Sequence, residues 1–386
     1  MDRIAKRMAG LGTETAFEIL ARARALEARG RDVVHLEIGE PDFDTPANVV
    51  EAAIRALREG WTHYGPSAGL PPAREAIAEF FSRDRGVTVG PETVVITPGA
   101  KPILFYAVLA CVNPGDEVIH PDPGFPIYRS VIDYFGAKAV ALPLREARGF
   151  TFDLADLEAR ITRRTKMVIL NSPHNPCGSM LSRDDLEGIA ELAERHDFWV
   201  LADEIYSKVV YEEPFESITR FPGMLDRTIV VDGFSKTYAM TGWRLGYGIM
   251  PADLVPHVAR LMTNSNSCTS SFTQMAGIEA LRGSQDSVAS MVAEFRRRRD
   301  RIVEGLNAIE GFRCAKPKGA FYVFPNVSAL GLTSEELQNR LLDEGGVATL
   351  AGTSFGPGGE GFLRLSYANS LANIEKALAM IENVLE

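Results

Sequence analysis

The sequence predicts an α/β protein, with a large domain built on a mainly parallel seven-stranded sheet flanked by helices and a smaller α+β domain beside it. Three observations carry this reading. From about residue 93, short β-branched runs alternate with longer helical periods, the pattern of parallel βαβ units. Near residue 285 the texture changes to one long charged helix followed by short mixed elements. Finally, 386 residues, 46% apolar and 24% charged, exceed what one compact core holds.

In chain order, residues 13–29 read as a helix, and residues 1–44 are assigned with 286–386 to the small domain, leaving 45–285 as the large one. Strands are expected at 93–97, 117–120, 139–142, 167–170, 199–202, 228–231 and 245–249. Helices fall between several of them. The segment 182–196 opens on Ser182 with Asp185 three residues on, the chemistry of a capped N-terminus. The basic run Arg296, Arg297, Arg298, Arg299, followed by Asp300 and Arg301, reads as a solvated or subunit-facing helix surface. Residues 319–324 read as a strand. The chain carries no internal repeat and no low-complexity tract.

A formal net charge of -10 argues against a general binder of nucleic acid or anionic membrane, both of which repel a negative surface. Cys111, Cys177, Cys268 and Cys314 lie far apart, with no C-x-x-C pair and no clustered histidines, so unpaired thiols and no metal site are expected. The start, Met1-Asp2-Arg3-Ile4-Ala5-Lys6, lacks the apolar stretch of a secretory signal, and no run of about 18 apolar residues suggests a membrane span. These features point to a cytoplasmic enzyme acting on small molecules.

Ligands of open parallel sheets bind beyond the carboxyl ends of the strands, so the residues just after each strand belong together. Pro98-Gly99-Ala100-Lys101 opens a helix whose free N–H groups suit a phosphate, although a tight turn feeding an ordinary helix would look the same. In Asn171-Ser172-Pro173-His174-Asn175-Pro176, Asn175 is either an amide presented to the cleft or an Asx-turn residue, and His174 reads as a loop histidine. Asp203 and Tyr206 put a carboxylate at a strand end and a phenol three residues later. A lone Asp there is uninformative, but opposite a pyridine nitrogen it would keep that nitrogen protonated. The segment from Asp232 to Gly246 says most. Lys236, beside Ser235 and eight residues before Arg244, has the parts for a Schiff base next to a bound phosphate. A Walker-type loop fits poorly, since G-x-x-x-x-G-K-[ST] is absent, and Gly242, Gly246 and Gly248 do not make G-x-G-x-x-G.

With these motifs in order, together with Gly39-Glu40-Pro41-Asp42-Phe43-Asp44-Thr45-Pro46, Tyr64 and Arg364-Leu365-Ser366-Tyr367, the chain resembles, nearly end to end, the class I/II aminotransferases of fold type I, which depend on pyridoxal 5'-phosphate (PLP). The bacterial aspartate-aminotransferase subgroup is the best match. The resemblance implies that Lys236 carries the cofactor, Asp203 pairs with its ring nitrogen, and Asn175 and Tyr206 bond its ring oxygen. It places Ala100, Lys101, Ser235 and Arg244 around the phosphate, Phe125 stacked on the ring, and Tyr64 reaching in from the other subunit of a homodimer. Arg364 would clamp the substrate α-carboxylate, a task suited to a planar guanidinium fork, with Gly39 and Asn175 assisting; the bland alternative is a strand-edge arginine.

The implied activity moves an amino group between an L-amino acid and a 2-oxo acid in a ping-pong cycle. In the subgroup, a lysine at the position of Lys101 is associated with a distal substrate carboxylate, which favours glutamate, aspartate and 2-oxoglutarate. A threonine that often supports this is matched here by Ala16, with Thr15 adjacent, so neutral or aromatic donors stay open. Phe17, Phe125 and Phe272 belong either to a pocket or to the core. The rivals are a PLP-dependent β C–S lyase, a non-catalytic PLP-binding regulator and, lacking its glycine fingerprint, an NAD-dependent oxidoreductase.

Overall fold

The structure, a computed structural model, describes residues 3–386, so the leader reading of Met1 and Asp2 lies outside it. Along the chain, the strands are β1 Val34–His35, β2 Val94–Thr97, β3 Glu117–Asp122, β4 Lys138–Pro143, β5 Thr165–Asn171, β6 Trp199–Asp203, β7 Thr228–Gly233, β8 Gly246–Ile249, β9 Tyr322–Val323, β10 Val347–Ala348, β11 Leu350–Ala351 and β12 Leu363–Ser366. The seven from β2 to β8 form one sheet in the order β2-β8-β7-β6-β5-β3-β4. β8 runs antiparallel to both its neighbours, and the other pairs are parallel. The expected strands match these seven to within a few residues at each end.

Physical chemistry explains why these runs are strands. Val94, Val95, Val118, Ile119, Val168, Ile169, Val200, Leu201, Ile229 and Val230 are all buried, because helices cover both faces of a parallel sheet. Of these helices, α1 is Thr15–Glu27, α2 Ala47–Arg58, α3 Pro71–Arg85, α4 Lys101–Cys111, α5 Ile127–Tyr134, α6 Leu154–Glu158, α7 Arg183–His196, α8 Phe234–Thr237, α9 Val255–Ser265, α10 Ser271–Arg282, α11 Asp286–Ala308, α12 Ser334–Asp343 and α13 Leu371–Leu385. The expected capping box opens α7: Ser182 accepts from the Asp185 N–H, and Asp185 accepts from Ser182.

A separate apolar core gathers Val34 and Leu36 with Phe295, Phe321, Leu365 and Ile374, so the N-terminal strand is built into the C-terminal elements. β1 pairs in parallel with β10, and β9, β12 and β11 make a small antiparallel sheet. α1 joins this side too, burying Ile19 and Ala23 near Phe324, Ala348 and Leu350.

The basic run of α11 corrects one expectation. Arg299 is fully buried, donating to Glu212 at 2.6 and 2.7 Å and lying 4.4 Å from the Tyr211 ring centroid. Arg298 is buried as well, donating to Asp42 at 2.6 Å and Glu294 at 2.9 Å. A helix turns about 100° per residue, so four consecutive arginines cannot share one solvated face. Only Arg296 and Arg297 remain outside. Among the described residues, no helix is long and apolar enough to cross a membrane.

Candidate active site

Beyond the carboxyl ends of β5, β6 and β7 lies a cavity of about 330 Å³. It brings together Gly39, Ala100, Lys101, Phe125, Asn175, Asp203, Tyr206, Ser235, Lys236, Arg244 and Arg364, which the sequence scatters over more than three hundred positions. β7 ends in the single turn α8, which carries Ser235 and Lys236 into the cavity. Lys236 Nζ donates to the Gly39 carbonyl at 2.5 Å and lies 5.8 Å from the Phe321 ring centroid. Burial lowers its proton affinity from the usual 10.5 to about 8; nearby Glu40 opposes the shift, and Lys101 and Arg364 add to it.

Asp203 terminates β6 in the cavity floor. It accepts from the Tyr128 hydroxyl at 2.7 Å and from the Ile205 N–H at 3.3 Å. Burial raises its carboxyl to about 6, against the Tyr128 bond, which favours the charged form. Behind it, Asn171 donates to the Asp203 carbonyl at 3.1 Å and accepts from the Asn175 N–H at 2.8 Å, so the end of β5 sets the position of Asn175. The Asn175 side-chain oxygen accepts from Arg364 at 3.2 Å.

Arg364, on β12, is buried. It donates to the Glu37 carbonyl and stands over the rings of Tyr322 and Phe355 at 4.5 and 4.9 Å. Its Nε, also buried, has no hydrogen-bond partner among the described residues. Gly39 leaves room for Tyr322: a Cβ there would fall 2.0 Å from the tyrosine hydroxyl. On the opposite wall, Ala100 and Lys101 open α4, whose first N–H groups lack intrahelical acceptors. Arg244, held at a left-handed φ of 55°, donates to the Thr241 carbonyl at 2.7 Å and folds over Gly99, where a Cβ would meet its guanidinium at 2.2 Å. A buried carboxylate, a buried amine, a guanidinium with a spare donor and a helix N-terminus can therefore act on one ligand.

The family profile for aminotransferase class I and II matches residues 31–381. The chain belongs to the class I and II aminotransferases. An aspartate aminotransferase of Pyrococcus horikoshii is 41% identical to this aminotransferase over 99% of the chain and 97% of its own length. An aromatic-amino-acid aminotransferase of Thermococcus litoralis is 39% identical over 92% of each. The solved aspartate aminotransferase of Thermus thermophilus with maleate superposes at a TM-score of 0.96, with 38% identity and 100% of each chain covered. The fold is thus that of fold type I, the protein is a transaminase, and the β-eliminating alternative is not favoured.

Within this aminotransferase, Tyr64 lies outside the cavity lining and is 91% exposed. Phe17, Phe125 and Ala16 line the cavity, whereas Phe272 and Thr15 do not. His174 is a buried structural residue: its Nδ1 accepts weakly from the Cys177 N–H at 3.5 Å, and burial holds its proton affinity down at about 3. Sequence reasoning missed Tyr128, one helical turn after Phe125, and Tyr322, whose hydroxyl lies 2.8 Å from that of Tyr206. It also missed Glu14, which pairs with Lys101 at the cavity mouth. The Phe125-to-Tyr128 spacing was the only signal for the first, and the alternation within 319–324 the only one for the second.

Proposed function

We propose that this aminotransferase uses PLP, held by Lys236, to exchange an amino group between an L-amino acid and a 2-oxo acid in a ping-pong cycle, with 2-oxoglutarate a suitable acceptor. The observation that carries the reading is Lys236: buried, with its affinity lowered to about 8, in the same cavity as Asp203 and Arg364. The residues fit the cofactor. Asp203 is a buried carboxylate held high for want of a cation, which a protonated ring nitrogen would supply. The α4 N-terminus, Ser235 and Arg244 suit a phosphate, while Asn175 and Tyr206 suit the ring oxygen and Phe125 a ring face. When bound, PLP supplies an electron sink for charge developing at the substrate Cα.

The protein's own part is to bind, orient and move a proton. Arg364 holds the substrate α-carboxylate through its guanidinium, with Asn175 and Gly39 beside it. This aims the Cα proton at Lys236 Nζ, whose lowered affinity lets it act as a base near neutral pH. A homodimer in which Tyr64 of a second copy completes the phosphate site is consistent with the exposure of that side chain. Lys101 is proposed to meet an acidic substrate's distal carboxylate. Both acidic and neutral or aromatic donors are compatible with a lining that joins this lysine to Phe17, Leu104 and Phe125. In the decisive test, Lys236→Ala abolishes turnover and, after borohydride reduction of the loaded protein, the cofactor's covalent retention through gel filtration in denaturant; wild-type turnover by the variant sinks the assignment.

A further inference from the structure

At the mouth of the cavity, Lys101 is not free. Its ammonium is paired with the carboxylate of Glu14 and lies 5.4 Å from the Phe125 ring centroid. Glu14 stands at the N-cap of α1, and its side chain makes no cap bond but accepts from Lys101. The helices that carry them pack in different clusters: α1 buries Ile19 and Ala23 with Phe150, Phe324 and Leu350, and α4 buries Ile103 and Leu104 against the central sheet. The cavity lining that holds the pair also includes Ala16, Phe17, Leu104 and Phe125, the last of them the ring beside Lys101.

Resting on the reading that an amino acid and an oxo acid occupy this cavity in turn, we propose that Glu14 is a specificity-determining residue that stands in for a distal substrate carboxylate. When a substrate with a neutral side chain fills the apolar wall and excludes water, Lys101 keeps Glu14 as its counter-ion and no bare ammonium is buried. When a dicarboxylic substrate enters, its distal carboxylate takes Lys101, and Glu14, already about a quarter exposed, turns out to solvent. The dicarboxylate must displace an existing partner, whereas the neutral side chain displaces none. The donor class that follows is a neutral amino acid with an apolar or aromatic side chain, and a dicarboxylic oxo acid remains usable as acceptor.

The test is binding of two unreactive probes to the holoenzyme by calorimetry: maleate, a dicarboxylate, and 3-phenylpropionate, a monocarboxylate with a neutral ring. In Glu14→Gln, maleate is expected to bind about fivefold tighter and 3-phenylpropionate more weakly, about fivefold being the upper end for a partly exposed ion pair. In Lys101→Gln, adding Glu14→Gln should leave the ratio of the two affinities unchanged. The proposal is overturned if Glu14→Gln moves the ratio by less than twofold, or if its effect persists without Lys101. Glu14→Asp, which keeps the charge on a shorter arm, should fall between wild type and Glu14→Gln, and separates loss of charge from damage to α1. Turnover of the wild-type enzyme with phenylalanine and aspartate judges the aminotransferase role separately: a swing in binding among the variants with no turnover by wild type leaves the pocket reading standing and removes the role given to Lys236.

Discussion

Burial makes Lys236 a base at moderate pH, and the direction of its shift sets a pH dependence. Its folded affinity, about 8, lies below the 10.5 of a free lysine, so between these values the unfolded chain binds more protons and apo-protein stability rises with pH. The neutral amine needed to capture the cofactor also becomes the major form only above about 8. Capture by apo-protein, followed by stopped-flow absorbance, should therefore speed up through that pH; a rate flat from pH 6 to 10 would mean that the amine is not the limiting group. At this scale the sequence was readable where a residue sat in a motif, as Lys236, Asp203 and Asn175 do. Tyr128, Tyr322 and Glu14 were not, because each owes its role to a partner more than seventy positions away: Asp203, Tyr206 and Lys101 respectively.

The strand ends that carry Asp203 and Lys236 are tied together from beneath by a third element. Arg85, the last residue of α3, is buried and donates to Glu204, next to Asp203, at 2.8 Å and to Asp232, on β7 just before α8, at 3.1 Å. Burial raises both carboxyls, Asp232 to about 7, while Arg85 holds them down. A carboxyl whose folded affinity is raised costs stability as pH climbs through that value. Arg85→Met should therefore destabilise by about 3 kcal/mol at pH 7 and less at pH 5, where the two acids can be neutral; denaturant melts at the two pH values check this, and equal losses would sink it. The loop after β5 behaves in the opposite sense. His174 is held neutral down to about 3, so the unfolded chain takes up its proton first and stability falls as pH drops from 6.5 towards 3. His174→Asn should flatten the acid side of the Tm profile, and an unchanged slope would show that other groups govern it. The seven strands of the central sheet, with apolar runs and polar ends, were legible. The two-residue strands β1, β10 and β11 were not, since two residues show no periodicity and their pairing comes from distant chain, while the strand expected at 319–324 forms only as β9, Tyr322–Val323.

We propose that residues 1–44 move as one unit with 286–386; the parallel pairing of Val34 with Val347 and the shared core of Val34, Phe295 and Ile374 support this boundary. The proposed dimer gives a second whole-molecule expectation. Mixed dimers of Lys236→Ala and Tyr64→Ala contain one site with both residues intact, so co-refolding the two impaired variants at limiting cofactor should restore activity that neither shows alone; no gain would place Tyr64 outside the neighbouring site. The charged texture of α11 was legible, but which arginines turn inward was not, because that depends on Glu212 and Asp42 arriving from other parts of the chain. The hydrogen bond from Arg364 to the Glu37 carbonyl spans 327 positions. On a ribosome, where the amino end emerges first, the residues that would hold the cofactor are all made while that carbonyl still waits for its arginine. A nascent chain thus carries the residues that would hold a cofactor before it carries the arginine proposed to clamp a substrate's carboxylate.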